Sequence, residues 1–234
     1  MKLHIFKSGT VTAWKNLIIP EASAEERITV PVWFYLIEAG EKRYLFDTGA
    51  YLPDYEPDEN ADFILSVSSE ELAVNQLKKT GITPADISGI ILSHWHRDHS
   101  GGVPDFPGVP CFVRREEMEV KQWFANCDTA NWVCPEGEYD LLGDGRIILL
   151  PTPGHTAGHQ SLILTMDDGE KILLAADAAY TQAAAEAVFK KYIDVGVKVI
   201  AGHECTTVPD CTGAGARREI ARNAPLFTKN ETKQ

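Results

Sequence analysis

Residues 93–102 read SHWHRDHSGG and hold three of the seven histidines in this 234-residue chain. In extended backbone, His94 and His96 point to the same side because they are two residues apart. Asp98 and His99 follow on a turn and can face a second point nearby. Two glycines at 101–102 let the chain leave that turn without steric cost. The stretch therefore predicts a cluster of metal ligands.

Three more candidate ligands, His155, Asp177 and His203, are distant in sequence but occupy the same kind of position. Like the histidine cluster, each lies at or just after the end of an apolar segment that predicts a buried strand. These segments are 89–93, 146–150, 171–176 and 197–201. Strand ends that meet at one sheet edge form a natural site. Because neutral histidine is a frequent ligand of zinc, iron or manganese, the positions predict a metal centre at that edge.

The two remaining histidines are expected to have other roles. His159 lies four residues after His155 and is expected to support a ligand rather than to be one. His4 is expected to be an ordinary hydrogen-bonded residue.

The fold class follows from nine apolar segments that predict strands, at 3–7, 32–38, 42–47, 89–93, 110–114, 146–150, 161–165, 171–176 and 197–201. Turn residues at 39–41 and 167–169 predict two hairpins. Helices are predicted at 69–79, 115–124, 181–193 and 214–222. Hairpins combined with β–α alternation favour an α/β protein with mixed sheets.

Residues 51–67 carry two prolines and several acids, which predicts a long irregular loop. Such a loop is either a lid over a binding site or a plain solvated connection. No shift in composition marks a boundary, so residues 1–234 are expected to form a single domain.

Composition excludes several classes of partner. Hydrophobic residues make up 44% of the chain, and 34 acids against 22 bases give a net charge of −12. Nucleic acid and anionic membranes are therefore not expected as partners. The five cysteines are odd in number and lack a C-x-x-C pair, so they predict neither a disulfide framework nor a cysteine zinc site. Without a signal-peptide core or a long apolar run, a cytoplasmic location is expected, and the oligomeric state stays open.

Five fragments together resemble the metallo-β-lactamase superfamily. They are LFDTG at 45–49, SHWHRDHSGG at 93–102, TPGHTAGH at 152–159, LLAAD at 173–177 and AGH at 201–203. They occur in the family's order and span most of the chain. The resemblance implies an α/β four-layer αβ/βα sandwich of two mixed sheets, with two metals at one edge.

Within that superfamily the chain is similar to the N-acyl homoserine lactonases. The fragments that carry this likeness are PVWFYLIE at 31–38, GHTAGHQSLIL at 154–164 and AADAAYT at 175–181. Tyr180 corresponds to a tyrosine that contacts substrate in those lactonases, although it could instead simply pack with its hydroxyl on a neighbour. Only 22 residues separate Tyr180 from His203, fewer than in the lactonases, and the acyl-chain preference is left open.

The resemblance implies a ligand set for two divalent metal ions, with zinc first and iron, manganese or cobalt as alternatives. One ion is expected on His94, His96 and His155, and the other on Asp98, His99 and His203, with Asp177 as the bridge. Asp98 and Tyr180 are the expected catalytic residues. Asp47 is expected to orient one of the ligands.

The reaction that follows is the opening of a small-molecule lactone by a metal-bridging hydroxide that attacks the carbonyl. One alternative is a thioesterase of the glyoxalase II type on the same metals. That group usually carries a further C-terminal region, for which the residues after His203 look too few. Another alternative is a non-catalytic metal-binding or redox-sensing scaffold, which the filling of all seven expected ligand positions argues against.

Overall fold

Two β-sheets pack face to face in the computed structural model, which describes residues 1–54, 58–120, 124 and 127–204, and 218–219 as a strand. The first sheet contains β1 (Lys2–Trp14), β2 (Arg27–Ala39), β3 (Lys42–Phe46), β4 (Phe63–Ser66), β5 (Gly89–Ile91), β6 (Cys111–Phe112) and β12 (Arg218–Glu219). Its order is β12-β1-β2-β3-β5-β6, and β4 pairs with β1. The pairs β3–β5 and β5–β6 are parallel, and the other pairs are antiparallel.

The second sheet has the order β11-β10-β9-β8-β7. Its strands are β7 (Tyr139–Asp140), β8 (Ile147–Pro151), β9 (Gln160–Thr165), β10 (Lys171–Leu174) and β11 (Lys198–Ile200). The β10–β11 pair is parallel, and the other three pairs are antiparallel. Both sheets are therefore mixed, as the sequence predicts.

Helices lie on the outer faces of the sheets and at the sheet edges. They are α1 (Lys15–Ile18), α2 (Ala73–Lys79), α3 (Arg97–Ser100), α4 (Arg115–Met118), α5 (Gln182–Val188) and α6 (Lys190–Ile193). None of the helices in the described part of the chain is long and apolar enough to cross a membrane.

The layers explain why the strands are apolar on both faces. Ile37 of β2 packs between the sheets with Leu162 of β9, while its neighbour Leu36 packs outward with Leu77 of α2. On the second sheet, the outward Leu173 packs with Phe189 at the end of α5. Strands buried on both faces read as continuous apolar runs. The arrangement is the expected four-layer αβ/βα sandwich.

The structure departs from the predicted elements at several places. Strand β1 continues past a bulge between Lys7 and Thr10, well beyond the predicted 3–7. Its second half pairs with β4, so the prediction of an irregular loop over 51–67 is wrong at Phe63–Ser66. The two-residue β7 was not predicted.

Of the predicted helices, 69–79 begins as a tight turn over Ser69–Glu71 before α2, and 181–193 divides at Phe189. The helix predicted at 115–124 covers only Arg115–Met118 among the described residues. The one predicted at 214–222 lies outside the described residues, apart from Arg218–Glu219, which pair with β1 as a strand instead.

A candidate metal centre at the sheet edges

Four loops bring the predicted ligands together, and each loop follows a strand. The histidine cluster follows β5, His155 follows β8 and His203 follows β11. Asp177 lies in a short turn of 3-10 helix over Ala176–Ala178, directly after β10. The structure therefore brings these side chains together where the strands end.

The donor atoms fall into two groups, in each of which all atoms lie within 4.8 Å of one another. The first donor group is His94, His96, His155 and Asp177. The second donor group is Asp98, His99 and His203. Apart from Asp177, which is expected as the bridge, the two groups contain the same side chains that the family resemblance implies for each of two ions.

Asp177 lies between the two groups. Its Oδ2 is 3.3 Å from Nε2 of His155. Its Oδ1 is 3.1 Å from Nε2 of His99 and 3.2 Å from Nε2 of His203. One carboxylate therefore faces both groups, as a bridging ligand would.

Several of these donor atoms are poorly satisfied by hydrogen bonds within the protein and are placed as the ligands of a cation would be. Among the described residues, Nε2 of His94, Nε2 of His99 and Oδ1 of Asp177 are buried without a hydrogen-bond partner. Nδ1 of His96 and Nε2 of His155 face each other at 2.8 Å. Buried polar atoms are rarely left without partners, so their convergence indicates a site for positive ions.

Hydrogen bonds behind the rings direct three of the histidines. Nδ1 of His203 donates to the carbonyl oxygen of Pro31 at 2.7 Å, and Nδ1 of His99 donates to Asp47 at 2.8 Å. Nδ1 of His94 donates to the Ser93 hydroxyl at 2.9 Å. Each ring is thereby left with Nε2 facing the centre, as ligating histidines usually are.

Asp47 has the orienting position expected from the sequence. It is buried, and it also accepts hydrogen bonds from the backbone N–H and the hydroxyl of Ser93 at 2.7 and 2.8 Å. Its φ of 56° is in the left-handed region, which aspartate tolerates better than most residues. Burial raises the pKa of Asp47, and the contact with His99 opposes that shift without cancelling it.

The histidines of the first donor group have lowered pKa values. Burial is the main cause for His94, His96 and His155, and it lowers the pKa of His96 to about 4. These rings are therefore neutral near pH 7, which is the form that binds a metal.

The second donor group behaves in the opposite way. Burial acts to lower the pKa of His99 and of His203, but nearby carboxylates, above all Asp177, outweigh it and raise both. Burial likewise acts to raise the pKa of Asp177, yet His99 and His203 hold it well below its usual range. Protons on these two histidines therefore occupy positions that a cation would take.

Tyr180 reaches the centre through a neighbouring ring. Its hydroxyl lies 3.0 Å from Nδ1 of His155, and its side chain lines the cavity over the donor groups. Burial, assisted by the charge of Asp177, raises the pKa of the phenol, which stays protonated. Both readings of Tyr180 from the sequence are thus compatible with its place, since the hydroxyl packs on a ligand and borders the cavity.

The cavity over the donor groups has a volume of about 300 Å³. One side holds donor atoms, and the other is apolar, with Val11, Ile18, Val30, Phe63 and Leu65. Sequence reasoning missed most of this wall, because it depends on the pairing of β4 with the far half of β1.

Arg97 and Tyr51 lie at the same cavity and were also missed as a pair. The guanidinium donates to the Tyr51 hydroxyl at 2.9 Å and lies over its ring. Arg97 lies between His96 and Asp98 in sequence, which was the available signal.

The other two histidines remain outside both groups. His159 donates from Nδ1 to the Thr152 hydroxyl at 2.8 Å, and its ring lies 5.2 Å from that of His94. Nε2 of His4 contacts Glu38 at 2.6 Å. His159 therefore lies beside the first donor group, and His4 is a hydrogen-bonded residue outside the site.

Several known proteins are similar to this chain in sequence. The profile of the Metallo-beta-lactamase superfamily matches residues 27–195. An N-acyl homoserine lactonase of Bacillus sp. is 33% identical over 196 residues, covering 77% of each chain. The N-acyl homoserine lactonase AttM of Rhizobium radiobacter is 30% identical over 203 residues, with the same coverage.

Solved structures agree with this result. A quorum-quenching N-acyl homoserine lactone hydrolase superposes with a TM-score of 0.77 at 27% identity, covering 93% of this chain and 98% of its own. Another N-acyl homoserine lactone hydrolase, with its product N-hexanoyl-L-homoserine bound at the catalytic metal centre, gives 0.75 at 27% identity, covering 87% and 93%. The chain therefore belongs to the metallo-beta-lactamase superfamily, and its homologues there are metal-dependent hydrolases of the N-acyl homoserine lactonase type.

Proposed function

We propose that this chain is a dinuclear metal-dependent hydrolase that opens the lactone ring of N-acyl homoserine lactones. The observation that carries the proposal is the convergence of seven donor side chains on two points, one on each side of Asp177. The substrate class comes from the relatives, which are N-acyl homoserine lactonases.

In the proposed site, His94, His96 and His155 hold one divalent ion, Asp98, His99 and His203 hold the other, and Asp177 bridges them. The donors are nitrogen and oxygen without thiolate, a set that suits zinc and also accepts iron, manganese or cobalt. When bound, two such ions lower the pKa of a shared water and polarise the substrate carbonyl.

Tyr180 is proposed to act on the substrate directly. Nδ1 of His155 faces the phenol oxygen, so the ring N–H can donate there and leave the phenol proton for another acceptor. That acceptor is the lactone carbonyl oxygen, whose negative charge grows as the ring is attacked.

Asp98 is proposed as the group that handles the proton. Its side chain is 20% exposed and lines the cavity, with Oδ2 3.6 Å from Nε2 of His99. A carboxylate in this place can take the proton of the attacking water and pass it to the ring oxygen as that oxygen leaves. The single product is the ring-opened hydroxy acid, because the oxygen that leaves the carbonyl carbon stays attached to the same molecule.

The apolar wall is proposed to receive the acyl chain. Val11, Val30 and Leu65 form an apolar surface beside the donor groups. Burial of each methylene group of the acyl chain against it would contribute about 0.8 kcal/mol to binding. The aromatic side chains of Tyr51 and Phe63 also line the cavity.

The direct test is acid release from N-hexanoyl homoserine lactone by zinc-loaded protein, with Asp98→Ala as the inactive control. A lactoylglutathione thioester and a chromogenic cephalosporin are assayed in parallel. Fast lactone opening that is lost in the control supports the proposal. Hydrolysis of the thioester alone, by protein with two ions bound, would instead favour a thioesterase on the same centre.

A further inference from the structure

One buried carboxylate near the candidate metal centre belongs to neither donor group. Glu117 of α4 is 1% exposed. Its Oε2 accepts the backbone N–H of Trp95 at 2.9 Å. Its Oε1 accepts the hydroxyl of Thr156 and the backbone N–H of Gly158, both at 2.7 Å.

These bonds join the two segments that supply the histidines of the first donor group. Trp95 lies between His94 and His96, and Thr156 directly follows His155. The two segments approach each other where Nδ1 of His96 and Nε2 of His155 lie 2.8 Å apart. A single side chain therefore ties together both arms of that group.

The chain makes room for this contact. A Cβ atom on residue 158 would lie 2.8 Å from Oε1 of Glu117 and 2.9 Å from Cβ of Arg114. Only glycine allows the backbone to come so close. The close contact between Glu117 and the segment after His155 therefore depends on the glycine at position 158 as well as on Glu117.

The contact requires a side chain that accepts hydrogen bonds at both of its terminal atoms. Two of the three donors are backbone N–H groups, which cannot accept a hydrogen bond, and a carboxylate is an acceptor at both oxygens. A glutamine would turn an NH₂ group toward one of them.

We infer that Glu117 is a positioning residue for the first donor group, holding His96 and His155 at the separation that one divalent ion requires. The inference rests on the proposed metal site. Residues that support ligands without touching the ion typically change metal affinity by about 10- to 100-fold when they are replaced.

The test is a zinc titration of metal-free protein against a chromophoric chelator. Glu117→Gln is introduced into the wild type, into His203→Ala, which keeps the first group whole, and into His96→Ala, which keeps the second. We expect zinc affinity to fall by about 10- to 100-fold in the His203→Ala background and to stay unchanged in the His96→Ala background. Glu116→Gln makes the same charge change on the exposed face of α4 and is expected to change neither.

An equal loss of zinc affinity in the His203→Ala and His96→Ala backgrounds would show a general structural role and overturn the inference. Zinc affinity equal to that of the parent protein in every background would overturn it as well. If Glu117→Gln does not fold, Thr156→Val removes one of the three donors and should weaken the same step by a few-fold. Wild-type affinity in Thr156→Val would then overturn the inference. Failure of the wild type to bind two zinc ions would contradict the proposed function itself.

Discussion

The hydroxyl of Tyr180 lies 3.0 Å from Nδ1 of His155, the ring whose Nε2 faces Asp177 at 3.3 Å. The two nitrogens of one imidazole are thus divided between a phenol and the candidate metal centre. In the proposed metal-bound form Nε2 is unprotonated, so Nδ1 would carry the proton and donate a hydrogen bond to the phenol oxygen. In the proposed site the tyrosine would thus support a metal ligand and keep its own proton for the substrate.

Replacing Tyr180 with phenylalanine should therefore separate metal binding from turnover. Loss of a donor to a developing oxyanion typically reduces turnover by about 10²–10³-fold. We expect Tyr180→Phe to retain two ions per chain, measured by elemental analysis, and to lose kcat on N-hexanoyl homoserine lactone by that factor. Wild-type kinetics on every lactone assayed would show that the phenol plays no part in the reaction.

The opposite pKa shifts of the two donor groups predict different pH dependences of metal binding. Raised pKa values mean that His99 and His203 keep their protons to higher pH than ordinary histidines do, and an ion must displace those protons. Affinity of the second group should fall as pH falls from 8 to 6, by about tenfold per pH unit for each proton displaced. The first group should be insensitive over that range, because the pKa of His96 is lowered to about 4.

Zinc titrations at pH 6, 7 and 8 would measure this difference. We expect two binding steps that separate as the solution is acidified, with proton release accompanying the weaker one. Two steps with the same pH slope would contradict the assignment of raised and lowered pKa values to the two groups.

Gly202 packs closely against the turn that carries Asp177 and leaves no space there for a side chain. A Cβ there would lie 2.4 Å from the carbonyl oxygen of Ala176, which precedes Asp177 and has a φ of 44°. Gly202→Ala must displace that turn, and overpacking of this kind costs about 1–3 kcal/mol. We expect a lower melting temperature together with the loss of at least one bound ion.

A second glycine serves as the control for this variant. Gly40 has a φ of 63° in the β2–β3 hairpin, and a Cβ would meet nothing within 4 Å. Gly40→Ala should lower stability by about 1 kcal/mol through backbone strain alone and keep both ions. If the two variants lose metal equally, the effect of Gly202 is general destabilisation and not displacement of Asp177.

The sequence predicts the residues that the structure brings together at the strand ends, because each of them is marked locally. Each of His155, Asp177 and His203 ends or follows an apolar strand. The ability of histidine and aspartate to bind metal ions is known from the residue type alone. The contacts that fix the ligands are different in kind. Glu117 reaches Gly158 across 41 positions, and no local pattern marks that contact. Asp47 reaches His99 across 52 positions, and its role is expected only through the family resemblance of the LFDTG fragment.

The cavity wall is hidden for the same reason. Its residues Val11 and Leu65 lie opposite each other in the β1–β4 pairing, which exists because β1 continues after its bulge. Gly9 lies in that bulge with a φ of 80°. A local reading ends the strand at such an interruption, whereas the folded chain continues it because β2 pairs on both sides of the bulge.

Filling this wall should change chain-length preference without touching the chemistry. Val30 is 5% exposed and lines the cavity opposite the donor groups. Val30→Trp would occupy space that the acyl chain needs, and each methylene that is no longer buried forfeits about 0.8 kcal/mol of binding. We expect KM for decanoyl homoserine lactone to rise several-fold more than KM for butanoyl homoserine lactone, with two ions still bound. Because metal content and kcat on the short substrate report on the centre itself, an equal rise in KM for both lactones would place the acyl chain elsewhere.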